Sequence, residues 1–374
     1  MDWKVSSSLC GKESRVAVFE KGACYNLDGI TVVDLYGSWL DMGRQYGSLC
    51  KEYLCDVLRY IYGKTAESKS KLDSAIDISE RLYSHYPAYL QDFFTGMAET
   101  SGMNMRELRL CNALEYVEGC FFCSAMAAWN EYSADGRLVY GRNYDAVSYS
   151  ELSSDIIITV YHPDGAHSVA TIGYAGEIYC VNGLNDQGIF IELNNGMPSA
   201  GWDIHWDITP GTTILFDTLL HADSLDDVDK TLCSTQSFAS FIIGVADKSE
   251  ARAYEWCHDG IRRGDETPDG LLAITNHYVN SQWSYGKPTD SDSWNSLKRL
   301  CNIHTQAKVQ KGNIDALRMR TIMTTPIEAD GPLHSFTRYQ MVIVPETLTL
   351  HIRITGSGEW TEIDMRRFLD VKNA

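Results

Sequence analysis

The sequence predicts an α+β layered fold, and three observations carry that expectation. Strand-like runs come in hairpin-linked groups instead of alternating singly with helices, which favours antiparallel sheets. Helical spacing is concentrated in the first 120 or so residues, in a central stretch and near residue 300. No fixed-period repeat, low-complexity tract or Gly/Ser linker divides the 374 residues. Helices are therefore expected on the outer faces of the sheets.

The elements follow in order. Val32 to Tyr36 is a brief apolar run ending at Gly37-Ser38. Leu40, Gly43, Tyr46, Gly47, Tyr53, Leu54 and Leu58 then recur at helical spacing. Gly43 and Gly47 fall on one face of that helix, where glycine is costly unless another element packs closely. Pro87 starts a second helix carrying Leu90, Phe93, Phe94 and Met97. Met105 to Val117 reads as a third, with Leu108, Cys111, Asn112 and Glu115 along it. Near residue 120 the character changes. Cys123 to Tyr144 alternates as a hairpin around Ala134-Asp135-Gly136. Strands are expected at 155–161, 167–173, 178–182 and 188–194. A helical stretch runs from Thr212 through Cys233, its latter part starting at Ser224. Strands return at 238–246, 251–257 and 271–275, followed by a helix at about 294–309 and strands at 338–344 and 348–354. The most loop-like stretch is 284–293.

Composition narrows the function classes. The chain is 44% hydrophobic, which provides for a large core. Its net charge is -18 and it has no dense basic cluster, which argues against nucleic acid and anionic membrane surfaces as partners. No window is apolar enough for a membrane span. The start, MDWKVSSSLCGKES, lacks the apolar core of a signal peptide. The protein is thus expected in the cytoplasm, or outside it with a leader removed. The 11 cysteines are odd in number and scattered, unlike a disulfide framework. Cys120 and Cys123 form the lone CxxC pair, without the second pair or His pair that zinc needs. No metal or organic cofactor is expected.

The hairpin carries the chemistry. It returns Arg142 and Asp145 to the neighbourhood of Cys123. A cation beside a thiol favours thiolate, and a carboxylate nearby can orient an amine. Residue chemistry alone leaves a second reading open, a surface hairpin with an Arg–Asp pair and a buried cysteine.

CSAMAAW (123–129) with ADGRLVYGRNYD (134–145) resembles the start of the mature chain in the choloylglycine hydrolase and penicillin V acylase group. It also resembles the isopenicillin N acyltransferase and acid ceramidase groups. LYGSWLDMGRQYG (35–47) is similar to the glycine-rich propeptide of the acyltransferases. GLNDQGIFIELNN (183–195), AITNHY (273–278) and SFTRYQMVIVPETLTLHI (335–352) resemble later segments, in the same order. The resemblance implies an N-terminal-nucleophile (Ntn) hydrolase: a four-layer αββα sandwich of two antiparallel sheets between helical layers. It implies a helical propeptide-like region at 1–122 and a catalytic region at 123–374, together one structural domain.

The resemblance further implies self-cleavage before Cys123, whose freed α-amino group serves as base for its own thiol. Arg142 would stabilise the thiolate and Asp145 would position the amine. Asn194 would donate to the oxyanion, with Asn195 one position away, and Asn276 would complete the polar pocket. His277 would belong to the T-N-H loop and would not act as a base. The expected substrate is a small N-acyl compound with a linear amide bond: a bile-salt conjugate, penicillin V, an N-acyl amino acid or a peptide-like molecule. Relatives are commonly homo-oligomeric. The sequence departs from the pattern twice. Phe122 precedes the nucleophile where relatives have a small residue, which leaves Cys120, after Gly119, as a rival. Ser296 stands where relatives commonly place an arginine, and Arg299 is expected to face elsewhere. Acyl transfer through the same acyl-enzyme, a catalytically idle ligand-binding chain and a Cys–His thiol protease are the competing readings.

Overall fold

The computed structural model describes residues 13–370 apart from 67, 119–121, 149, 265, 286–287, 290–293 and 357. The rival Cys120 and much of the loop-like stretch at 284–293 lie outside the described residues.

Two sheets form the centre. The first contains, in chain order, β1 (Glu13–Phe19), β2 (Gly22–Leu27), β3 (Ile30–Gly37), β6 (Ile156–Pro163), β7 (Val169–Tyr174), β8 (Asn182–Asn185), β9 (Phe190–Asn195), β10 (Phe241–Ala246), β11 (Ala251–Cys257) and β12 (Gly260–Arg263), and this is also their spatial order. The second runs β13 (Glu266–Thr267), β14 (Leu271–Ile274), β4 (Ser124–Ala128), β5 (Val139–Asp145), β15 (Thr337–Val344), β16 (Thr349–Ile354) and β17 (Thr361–Asp364). The helices are α1 (Trp39–Leu49), α2 (Lys51–Thr65), α3 (Lys69–Ser84), α4 (Ala88–Ser101), α5 (Met105–Asn112), α6 (Leu114–Glu118), α7 (Met197–Ala200), α8 (Gly211–His221), α9 (Leu225–Ser234), α10 (Ser296–Val309), α11 (Ala316–Thr324) and α12 (Arg366–Leu369).

The αββα layering is present, and strand alternation produces it. On β4, Ala125 and Ala127 join the large core between the sheets, whereas Met126 and Ala128 join a smaller cluster with Ile303, Ala307, Met319 and Met323 of α10 and α11. Gly141 of β5 is small for the same reason: a Cβ there would lie 2.8 Å from Met319 Sδ. On the other side, α1 and α4 cross in intimate contact. A Cβ on Gly43 would come within 2.1 Å of the Phe93 carbonyl oxygen, and one on Gly96 within 2.2 Å of that of Leu40. The glycine face of α1 is therefore a packing surface, which offsets its cost in helix propensity.

The sheets are antiparallel with one exception. β3 pairs in parallel with β6, from Thr31↔Ile157 to Gly37↔Pro163. The front segment thus supplies a three-stranded extension to the first sheet as well as helices. Other boundaries move. The strand expected at 178–182 lies at Asn182–Asn185, and the central helical stretch breaks into α8 and α9. The hairpin pairs from Ser124↔Asn143 to Ala128↔Val139, and its loop contains a 3-10 turn at Asn130–Tyr132 ahead of Gly136.

Candidate active site

One end of the second sheet collects the candidate residues because its strands are antiparallel. The start of β4, the ends of β5 and β14 and the start of β15 all meet there. Cys123 immediately precedes β4, Asp145 ends β5 and pairs with Thr337, and Asn276 follows β14 by two residues. The end of β9 in the facing sheet contributes Asn194 and Asn195.

Cys123 is 1% exposed. Arg142 Nη2 donates to its Sγ at 3.3 Å and to the Leu193 carbonyl at 2.7 Å. Arg142 Nη1 donates to Asn194 Oδ1 at 3.0 Å, and the guanidinium is ion-paired with Glu192. Burial raises the thiol pKa; Arg142 opposes the rise, and Asp145 adds to it. Glu192 shares the arginine's charge, which leaves the thiol less readily ionised.

Asp145 is held by three neighbours. Its Oδ1 accepts from the Thr337 hydroxyl at 2.6 Å, its carbonyl accepts from the Phe122 amide at 3.0 Å, and its Oδ2 lies 3.6 Å from Arg299 Nη1. Burial lifts its carboxyl to about 7, against the pull of Arg299, Thr337 and Arg142 toward the carboxylate.

Arg299 corrects an expectation. It faces the site: it is fully buried, donates from Nη1 to the Cys123 carbonyl at 2.6 Å and from Nη2 to Asn276 Oδ1 at 2.8 Å. α10 begins at Ser296, and Arg299 lies one turn further along its inner side. Trp294 and Asn295, both with positive φ, set the entry angle of that helix. Ser296 is structural: its Oγ accepts from the Asn276 amide at 2.7 Å, donates to Thr275 Oγ1 at 2.9 Å and bonds His277 Nδ1 at 2.7 Å. His277 is thus part of the loop that fixes Asn276.

The two asparagines differ. Asn194 Nδ2 donates to both oxygens of Glu192, at 2.6 and 2.8 Å, so its amide hydrogens are committed. Asn195 lines a cavity beside Cys123, and its side-chain oxygen accepts from the Met197 amide at 2.8 Å. Asn276 Nδ2 donates to the Asn195 carbonyl at 2.9 Å and so fixes the backbone there.

That cavity, about 220 Å³, is walled mainly by Val181, Leu193, Met197, Ile204, Phe238 and Phe241, with Cys123 on its surface. Glu115 of α6 is its carboxyl group. Phe122 lies elsewhere, tilted against Trp294 at 4.9 Å between ring centroids. Sequence reasoning gave no chemical part to Glu192, Thr337 or Glu115. A signal existed for Glu192, a lone charge inside the apolar strand FIELNN. Among the described residues no cluster of His, Cys, Asp and Glu suits a metal ion, and no helix is long and apolar enough to cross a membrane.

Comparison with known proteins agrees with the resemblance seen in the sequence. The model of the family described as acyl-coenzyme A:6-aminopenicillanic acid acyl-transferase matches residues 129–322. That span covers over half the chain and includes Arg142, Asp145, Asn194 and Asn276, starting just past Cys123. The comparison with curated proteins gives no match. Among solved structures, the chain is similar to a Caenorhabditis elegans ortholog of N-acylethanolamine-hydrolyzing acid amidase, at 17% identity and TM-score 0.45, over 60% of this chain and 93% of that one. It is also similar to a variant of the conjugated bile acid hydrolase of Clostridium perfringens, at 13% identity and TM-score 0.47, over 66% and 93%. A third is penicillin V acylase from Agrobacterium tumefaciens, at 11% and 0.43, over 66% and 87%. The chain belongs to the acyl-coenzyme A:6-aminopenicillanic acid acyl-transferase family.

Proposed function

We propose that the protein is a cysteine Ntn amidohydrolase that cuts itself before Cys123 and then hydrolyses linear amide bonds of small N-acyl compounds. The observation that carries this reading is the convergence of Cys123, Arg142, Asp145 and Asn276 at one sheet end, with an apolar cavity opening on the thiol.

Self-cleavage follows from the thiol's position. Cys123 Sγ attacks the carbonyl carbon of Phe122, the peptide C–N bond breaks, and the amine of Cys123 takes up a proton. Water then hydrolyses the resulting ester of sulfur. The Phe122 amide held by the Asp145 carbonyl and the Cys123 carbonyl held by Arg299 fix the chain on both sides of the bond. The new α-amino group, with an ordinary pKa near 8, supplies the base that the buried, protonated thiol needs. Asp145 orients it.

In turnover the amine takes the thiol proton as Sγ attacks the substrate carbonyl. The tetrahedral oxyanion is held by Asn195 Nδ2 in place of Asn194, whose amide is committed to Glu192. Collapse transfers the proton to the departing amine and leaves a thioester, which water cleaves. The family's description favours one variant, in which a second amine takes the acyl group in place of water.

The segment 1–122 acts as a propeptide that stays bound after cleavage. β3 is paired on both sides within the first sheet, and Glu115 and Tyr116 line the cavity. A panel of N-acyl amides tests the reading. Processed wild-type protein should release amine from at least one apolar acyl amide and accumulate an acyl group on Cys123. Failure to acylate Cys123 with any member would refute it.

A further inference from the structure

We infer that Glu115 is a specificity residue that selects acyl groups carrying a hydrogen-bond donor, a hydroxyl or an ammonium, within the largely apolar cavity. This rests on the amidohydrolase reading and names its substrate class.

Glu115 is 7% exposed and lines the same cavity as Cys123. Its Oε1 accepts a hydrogen bond from the Tyr144 hydroxyl. Its Oε2 takes no hydrogen bond among the described residues. Burial of the carboxyl raises its pKa, and Arg142 lowers it only as the weakest influence, the guanidinium being occupied by Glu192, Asn194 and the Leu193 carbonyl.

Such an oxygen is free to meet a ligand in the cavity. A carboxyl oxygen that faces a largely apolar cavity has little water to hydrate it, and a glutamine or leucine could fill the same volume at less cost. Most of the lining is apolar, Val181, Leu193, Phe238 and Phe241 among it; of the hydroxyls that share it, Tyr116 bonds Thr212 and Tyr144 bonds the other oxygen of Glu115. Tyr144 fixes one carboxyl oxygen, which orients the other. A ligand donor is the partner this geometry lacks. The cavity is about 220 Å³, below the range of clefts for drug-sized ligands, so the donor sits on the acyl group being transferred and not on a large appendage.

Glu115 precedes Cys123 in the chain, so after self-cleavage the nucleophile and the selector stand on different fragments. Neither fragment alone has the specificity.

The test uses processed wild-type protein and para-nitroanilides of hexanoic acid and of its hydroxy and amino derivatives at positions 2, 4 and 6. At one position a donor-bearing acyl group should be hydrolysed with kcat/KM roughly tenfold above hexanoyl, the size of a hydrogen bond to a carboxyl whose pKa burial raises. Glu115→Gln should lower that preference about tenfold if the donor is an ammonium, and by less if it is a hydroxyl, because the amide oxygen still accepts. Tyr144→Phe should weaken the preference by loosening the carboxyl, chiefly through KM. Wild-type preference for plain hexanoyl over every donor overturns the inference and leaves the amidohydrolase reading standing, as does a preference unchanged in Glu115→Gln. The wild-type comparison decides the matter even where a variant does not fold. Absence of turnover and of Cys123 acylation with the whole series overturns both.

Discussion

The two sides of Cys123 are built from opposite materials. On one side stand Arg142, Glu192, Asn194, Asp145, Arg299 and Asn276, all fully or almost fully buried and bonded to one another. On the other is a cavity of Val181, Leu193, Phe238 and Phe241 whose carboxyl belongs to Glu115. The charged side is over-determined: each group has a partner, and removing one leaves another charge unpaired in low dielectric. The apolar side has room to vary. On the proposed reading, chemistry and specificity sit on separate elements. The first is set at the strand ends of the second sheet; the second is shared by the first sheet, its helices and the segment before Cys123.

Breaking the charged side should produce the largest effects. Cys123→Ala should abolish self-cleavage and amide hydrolysis together, a loss of several orders of magnitude measured by initial rates and by gel mobility. Next comes Arg299→Met, which frees the Cys123 carbonyl, Asn276 and Asp145 at once. It should cost about 3–5 kcal/mol of stability in denaturant unfolding and slow cleavage. Arg299→Lys should recover part of the stability, since a point charge remains but the forked donor does not.

How far the sequence foretold this comparison depends on the side. The charged side was largely legible, because a hairpin fixes its own register. Cys123, Arg142 and Asp145 had to return together once Cys123 to Tyr144 alternated around Asp135-Gly136. The inward aim of Arg299 was not legible, because the family resemblance places the arginine at position 296. One helical turn moves the same charge into reach. The choice between Asn194 and Asn195 depended on which face of β9 each occupies and on Glu192, a neighbour across strands. The apolar side was hardly legible, since its walls come from segments far apart in sequence. The parallel pairing of β3 with β6 was invisible for the same reason: no local pattern encodes a partner over a hundred residues away.

A smaller effect should sharpen the contrast on the apolar side. Met197→Ala enlarges the cavity without touching the charged network. It should leave self-cleavage intact while reducing kcat/KM for medium-length apolar acyl amides by roughly tenfold, measured on the processed enzyme. A loss of cleavage in this variant would show that the two sides are not separable.

The charged side also predicts a pH dependence. Burial lifts Asp145 to about 7, whereas an unfolded aspartate titrates near about 3.9. Between those values the native chain holds a proton that the unfolded chain has released. The contribution to stability is therefore complete below about pH 4 and is lost as the pH rises through about 7. On a Cys123→Ala background, which keeps the chain uncut, Asp145→Asn should flatten the decline of unfolding free energy over that window. An unchanged slope would mean that the carboxyl is already ionised at acid pH.

On the proposed reading, the peptide bond before Cys123 is the protein's first substrate. Mass spectrometry of the purified chain and of Cys123→Ala tests it most directly. Two wild-type fragments that stay together in solution are expected, the longer one starting at Cys123 with a free α-amino group, and a single uncut chain for the variant. A wild-type protein that hydrolyses amides while remaining whole, or a Cys123→Ala chain cut at the same bond, would contradict it.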